Sequence, residues 1–191
     1  MATERTVGDE IPEKCELIEV HVTELRLLFN PIDPSPLAEK DLDPRAEEFI
    51  VSWARAARRD ARLALQVYID SPGVSDEVTN ASDAIREFFS QRSLSASRRL
   101  SQLFRVGRTS LLIGITFLTV AVTLGTMVAS ALGERPIGAL VQESLLIGGW
   151  VAMWRPLEIF LYSWWPIRAE RKLYERLSTM PVRITFKTAN P

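Results

Sequence analysis

The chain has 191 residues, 23 basic and 24 acidic side chains, one Cys and one His, and 47% of its residues are hydrophobic. One Cys excludes an internal disulfide, and one Cys with one His excludes zinc cages, which need about three or four N/S ligands. A net charge of −1, with no ribbon of Lys/Arg and interleaved aromatics, argues against a nucleic-acid binder. The charge is unevenly placed: residues 1–90 carry 19 acids and 10 bases, whereas 91–191 carry 5 acids and 13 bases. Such polarity suggests two environments along one chain, and the length accommodates a small domain plus a membrane anchor.

Residues 1–14 read as a disordered tail, without the basic n-region and apolar h-region of a signal peptide. Cys15 to Val22 reads as a strand with Ile18, Val20 and Val22 on one face. Pro31, Pro34 and Pro36 mark a loop. Asp43-Pro44 then starts a helix, with Asp as N-cap, Pro at N1 and Glu47–Glu48 near the positive dipole end. That helix is expected to run to about Arg58 and to bury Ala46, Phe49, Ile50, Trp53 and Ala57. Leu63 to Ile69 alternates as a second strand that ends at Ser71-Pro72-Gly73. From about Ser75 a long helix with the stripe Val78, Ala81, Ile85, Phe88 and Phe89 leads toward the apolar region.

Thr109 to Gly133 holds no charged residue in 25 positions and as a helix reaches roughly 37 Å, enough to cross a ~30 Å hydrocarbon core. A core helix of that length would rarely lack charge on every face. After the turn Gly133-Glu134-Arg135-Pro136, residues 137–160 form a second apolar span, which Pro156 is expected to kink or end. Residues 161–178 read as a basic, aromatic juxtamembrane helix, and Val182, Ile184 and Phe186 alternate with Arg183, Thr185 and Lys187 as a last strand. A lone strand has nothing to pair with, so it is expected to join the two earlier strands. Strand–helix–strand order favours a parallel pair with a crossover helix. The expected fold is therefore an α+β or α/β domain of about three strands (residues 15–105 with 179–188) plus a two-helix transmembrane hairpin.

Arg92, Arg98, Arg99, Arg105 and Arg108 precede the first span, and Arg168, Arg171, Lys172 and Arg176 follow the second. The positive-inside rule then puts both termini in the cytoplasm. Arg105, Arg108, Tyr162, Trp164, Trp165 and Arg168 are the candidate membrane-interface residues, whose basic members set topology and also suit anionic headgroups. Small residues at Ala121, Gly125, Ala129 and Gly133 recur every fourth position, and Gly148, Gly149 and Ala152 give the other span a similar face. Such faces let helices approach closely, within a hairpin or between copies. Glu143, Arg155 and Glu158 are the ionisable groups within or beside the spans, where charge is expensive and often marks ion pathways. The length of the hairpin argues instead for interfacial positions.

No catalytic or phosphate-binding motif is present: no Walker A loop, GxGxxG, HExxH or GxSxG. His21 lies opposite in parity to Ile18 and Val20 and shares its face with Glu19, a common and non-specific pairing. Cys15 has only Lys14 beside it and reads as a small strand residue. The acids Asp33, Glu39, Asp41, Asp43, Glu47 and Glu48 lack EF-hand spacing, and the helix N-terminus accounts for them. The sequence therefore points to a non-catalytic membrane anchor or protein-interaction module without cofactor or metal, partnered by the bilayer and another protein, with a homo-oligomer open. Arg outnumbers Lys 19 to 4, a bias of GC-rich bacterial genomes, which suggests a bacterial inner membrane. Two alternatives come from other classes: an oligomeric transporter or channel subunit using Glu143, and a membrane-surface enzyme using His21.

Overall fold

The computed structural model describes residues 4–58, 60–70, 75–132 and 136–187. The elements in chain order are β1 (Glu4–Gly8), β2 (Glu16–Val22), α1 (Pro44–Ala56), β3 (Leu63–Ile69), α2 (Ser75–Leu132), α3 (Pro136–Glu158), α4 (Trp164–Ser178) and β4 (Val182–Lys187). The chain divides into two compact units, one within residues 1–95 and 170–191 and the other within 96–169.

The first unit is built on a four-stranded mixed sheet of order β1–β4–β3–β2. β2 and β3 are parallel and connected through α1, as strand–helix–strand order predicts. β4 lies parallel to β3, so the C-terminal strand does join the earlier ones. Register fixes one apolar face: Val20 pairs with Val67, Val67 with Ile184, and Ile184 with Val7. Onto this core pack Ile50, Val51 and Ala54 of α1, Val78, Ala81, Ile85 and Phe89 of α2, and Leu173 and Leu177 of α4. The α2 stripe expected from spacing is buried throughout. On the opposite face Gln66 and Thr185 are also buried, and Gln66 Nε2 donates to Thr185 Oγ1 at 2.7 Å. A buried amide without that acceptor would cost free energy, so the pair holds the two central strands in register.

Three expectations are corrected. Residues 1–14 are not a disordered tail throughout, because β1 pairs antiparallel with β4 and makes the sheet four-stranded. The reason is a clasp that follows the strand. The Asp9 carboxylate accepts from an Arg86 guanidinium of α2 and from the Val182 N–H, and the Asp9 carbonyl accepts from Arg183 Nε at 3.0 Å. Second, α1 ends at Ala56, with Asp43 capping Arg45 N–H as expected, but Phe49 and Trp53 stay outside the core at 42% and 55% exposure. Ile50 is buried as expected and Ala46 and Ala57 pack partly buried against the core, but Val51 and Ala54 take the buried places expected for Phe49 and Trp53. Third, Pro156 does not itself stop the second apolar helix: α3 ends two residues later at Glu158, close to the expected end of the span, and the chain widens into a π-helical turn over Ile159–Ser163 before α4. Such a widened turn accommodates backbone displaced by an inserted irregularity without breaking the helix. Ser163 Oγ and Trp164 Nε1 donate to the Glu158 and Phe160 carbonyls there. The two predicted turns at 71–73 and 133–135 fall outside the described residues.

Candidate functional site

Two helices are long and apolar enough to cross a membrane. Their most apolar windows are only 17% and 11% buried within the chain, far from the enclosure of a core helix. The uncharged part of α2 faces outward with Leu112, Ile113, Phe117 and Met127, and α3 does so with Leu140, Ile147, Trp150 and Trp154. Hydroxyls in this stretch satisfy themselves locally: Thr116, Thr119 and Thr123 each donate to the carbonyl four residues back. That removes the polar groups a lipid environment would penalise.

Between the two helices runs a seam of small residues. A Cβ added to Gly107 would lie 2.9 Å from Ile159, one on Gly114 3.2 Å from the Ala152 carbonyl, and one on Gly125 3.3 Å from the Gln142 Cα. On α3, a Cβ on Gly149 would lie 2.5 Å from Leu118, and one on Gly138 3.5 Å from the Ala129 Cα. Partner numbers fall on one helix as they rise on the other, so the pair is antiparallel. Ala121, buried in the same row, completes the face. Of the packing residues expected from spacing, Gly125 lies against Gln142, Gly149 against Leu118 and Ala129 against Gly138. Gly148 does not join them: nothing lies within 4 Å of a Cβ built there, so it is off the seam. At 100° per residue, Gly148 and Gly149 cannot both face one partner. Gly107, Gly114 and Gly138 belong to the seam and had no separate signal in the sequence beyond being glycines in helical pattern.

The ionisable residues sort into two kinds. Arg155 donates to Glu158 at 3.0 Å, an exposed i,i+3 ion pair at the end of α3. Glu143 is exposed, without a hydrogen bond or ion pair among the described residues. It lies seven residues into α3, about 10 Å along its axis.

At the other end of the hairpin the aromatic residues form a cluster. Phe104 of α2 sits 6.2 Å from Phe160 and 6.5 Å from Trp164, and the Arg168 guanidinium lies over the Trp164 ring at 5.5 Å. Trp164 also contacts Trp165, which is 64% exposed, as is Tyr162 at 73%. Beside Phe104, a cleft of about 420 Å³ is lined by Ser101, Phe104, Arg105, Arg108 and Thr109.

In the sheet unit, His21 is exposed and stacks on Tyr68 at 4.6 Å, with no carboxylate bonded to it among the described residues. Cys15 is a half-buried free thiol. The acidic cluster is dispersed into separate structural tasks. Asp33 accepts from the N–H groups of Asp41 and Ser35, Asp43 caps α1, and Glu47 pairs with Arg92. The hydrogen bonds to Asp33, that from Asp41 foremost, hold its carboxyl below the ordinary value. Burial, helped by Glu170 and Glu47, raises the Tyr174 phenol above its own. Among the described residues no three His, Cys, Asp or Glu side chains gather as a metal site. A second cleft, at the starts of β3 and β4, carries both Asp60 and Arg62; on its wall Arg176 donates to the Arg58 and Ala61 carbonyls at 3.1 and 2.6 Å. No family, curated protein or solved structure matches the chain.

Proposed function

We propose that the chain is a two-span integral membrane protein of a bacterial inner membrane, with both ends in the cytoplasm, that presents its sheet unit as a non-catalytic anchor or interaction module. One observation carries the reading. β1 precedes both apolar helices and β4 follows them, yet the two strands are hydrogen-bonded neighbours. A chain whose ends meet in one sheet crosses a bilayer an even number of times, and the two apolar helices supply two crossings. The basic residues flanking both helices, Arg105 and Arg108 before and Arg168 after, favour the cytoplasm for that side.

The decisive experiment combines extraction and labelling. After alkaline carbonate washing the full chain should stay with the membrane pellet. Single cysteines placed at residues 10 and 190 in a Cys15→Ser background should react with a membrane-impermeant maleimide only after the cells are opened. Labelling of either end in intact cells, or release into the carbonate supernatant, refutes the reading.

Glu143 favours a second reading, an oligomeric transporter or channel subunit, because an unpartnered carboxylate some 10 Å inside an apolar helix calls for a donor on another helix. Crosslinking that yields only monomers in native membranes removes it. The membrane-surface enzyme draws less support, since His21 stacks on Tyr68 instead of pairing with an acid.

A further inference from the structure

We propose that the cleft of Ser101, Phe104, Arg105, Arg108 and Thr109 is a binding site for the phosphate of an anionic phospholipid, an inference that rests on the membrane reading above. Ser101, Arg105 and Arg108 recur at i, i+4 and i+7 on α2 and therefore share one face. Neither arginine has a carboxylate partner among the described residues, and the Ser101 hydroxyl is also without one. Elsewhere the chain commonly gives its arginines something to hold: Arg86 takes Asp9, Arg92 takes Glu47, and Arg176 takes two carbonyls. Two free guanidiniums one turn apart offer the planar, multiple N–H donors that suit phosphate oxygens.

The surroundings select a lipid over a soluble phosphate. Thr109 begins the uncharged run, and the arginine face continues along the helix as Leu112 and Ile115, both exposed. A headgroup at Arg105 and Arg108 thus leaves its acyl chains lying along apolar side chains. Phe104, packed in its aromatic cluster with Phe160 and Trp164, gives the cleft a firm apolar wall at the depth where aromatic rings meet headgroups. The cleft residues span about 12 Å of helix, room for a phosphodiester and its glycerol.

The test uses detergent-purified full-length protein and native mass spectrometry, titrating phosphatidylglycerol against phosphatidylcholine. Phosphatidylglycerol adducts should dominate. Arg105→Gln and Arg108→Gln should each weaken them about fivefold, and the double variant about thirtyfold. Arg98→Gln removes the same charge from an exposed position on α2 outside the cleft and should stay within about twofold of the wild type. Equal retention of the two lipids, an equal loss in Arg98→Gln, or displacement by inorganic phosphate without lipid would each overturn the proposal. Carbonate extraction of the same variants separates the two readings. Variants that stay in the membrane but show no lipid preference sink this site alone, whereas release of the wild type sinks the membrane reading with it.

Discussion

Gly148 and Gly149 are adjacent, and the structure assigns them opposite sensitivities. Any side chain at either position gains helix stability, about 1 kcal/mol for Gly→Ala, because glycine gives up the most backbone freedom on ordering. At Gly148 nothing opposes that gain, since the space around a new Cβ is open to 4 Å. At Gly149 the new Cβ falls 2.5 Å from Leu118 Cδ1 and 3.4 Å from Leu118 Cα. The first neighbour is the tip of a flexible side chain and can turn away; the second is backbone in ordinary contact. Gly149→Ala should therefore come out near neutral. Gly149→Leu puts three more carbons where Leu118 already sits, and overpacking of that kind costs about 1–3 kcal/mol, more than the propensity gain. The expected order of stability is Gly148→Leu at or above wild type, and Gly149→Leu below it by up to about 2 kcal/mol after the gain is subtracted. Titrating the detergent-solubilised protein with SDS and following tryptophan fluorescence measures both. Equal losses at the two positions, or a greater loss at Gly148, would show that the seam is misassigned and that α2 and α3 do not pack through this face.

Other consequences are equally open to measurement. Asp9→Ala removes the acceptor shared by Arg86 and the Val182 N–H; with both side chains partly exposed, the loss should be about 1 kcal/mol, with faster amide exchange concentrated in β1 and its partner residues of β4. Gly8→Ala should lower Tm clearly, because Gly8 has φ +115° and an added Cβ would lie 2.5 Å from the Val182 carbonyl oxygen, a strain of about 1–3 kcal/mol. Asp33 has a folded-state pKa below its ordinary 3.8, so its stabilising contribution is complete above that value and fades as pH falls through the lower folded one. The Ser35 and Asp41 amide resonances should thus hold steady down to the ordinary carboxylate range and move only below it, and Asp33→Asn should abolish the step. Trp150 and Trp154, 62% and 73% exposed, should be quenched by brominated acyl chains in reconstituted vesicles; quenching by aqueous iodide instead would put α3 in water.

What was readable in the sequence follows from how local each cause is. The length of an uncharged run and the period of an apolar stripe are properties of neighbouring residues, so the two apolar helices and the buried face of α2 could be read directly. The cap at Asp43-Pro44 is local as well. β1 was hidden because its cause lies 173 residues away: Asp9 meets the Val182 N–H only after the whole chain has returned. The exposure of Phe49 and Trp53 on α1 has a similar origin. Phe49 and Trp53 are the most apolar residues of that helix by size, and spacing alone ranks them as core. The core, however, takes Val51 and Ala54 beside the expected Ile50. At the hairpin, four-residue recurrence found half of the seam. It failed at Gly148 because recurrence marks a possible face without saying which of two adjacent glycines points to the partner.

The place of β4 has a consequence for assembly. β4 is not added at an edge; it lies between β1 and β3, with Ile184 bridging Val7 on one side and Val67 on the other. Until residues 182–187 arrive, β1 has no neighbour and β3 presents an open edge whose residues Leu65, Val67 and Ile69 are among the most completely buried in the finished protein. Both apolar helices are made before β4, so the sheet can close only after they have been placed. Pairing at such separation is entropically late, because a long loop must be closed before any contact rewards it. On the proposed two-span reading the sheet depends on the hairpin: a chain in which one apolar helix fails to cross would deliver β4 to the wrong side and leave β1 and β3 unpaired. An exposed strand edge of that kind invites aggregation. On that reading the closed sheet records that an even number of crossings was completed.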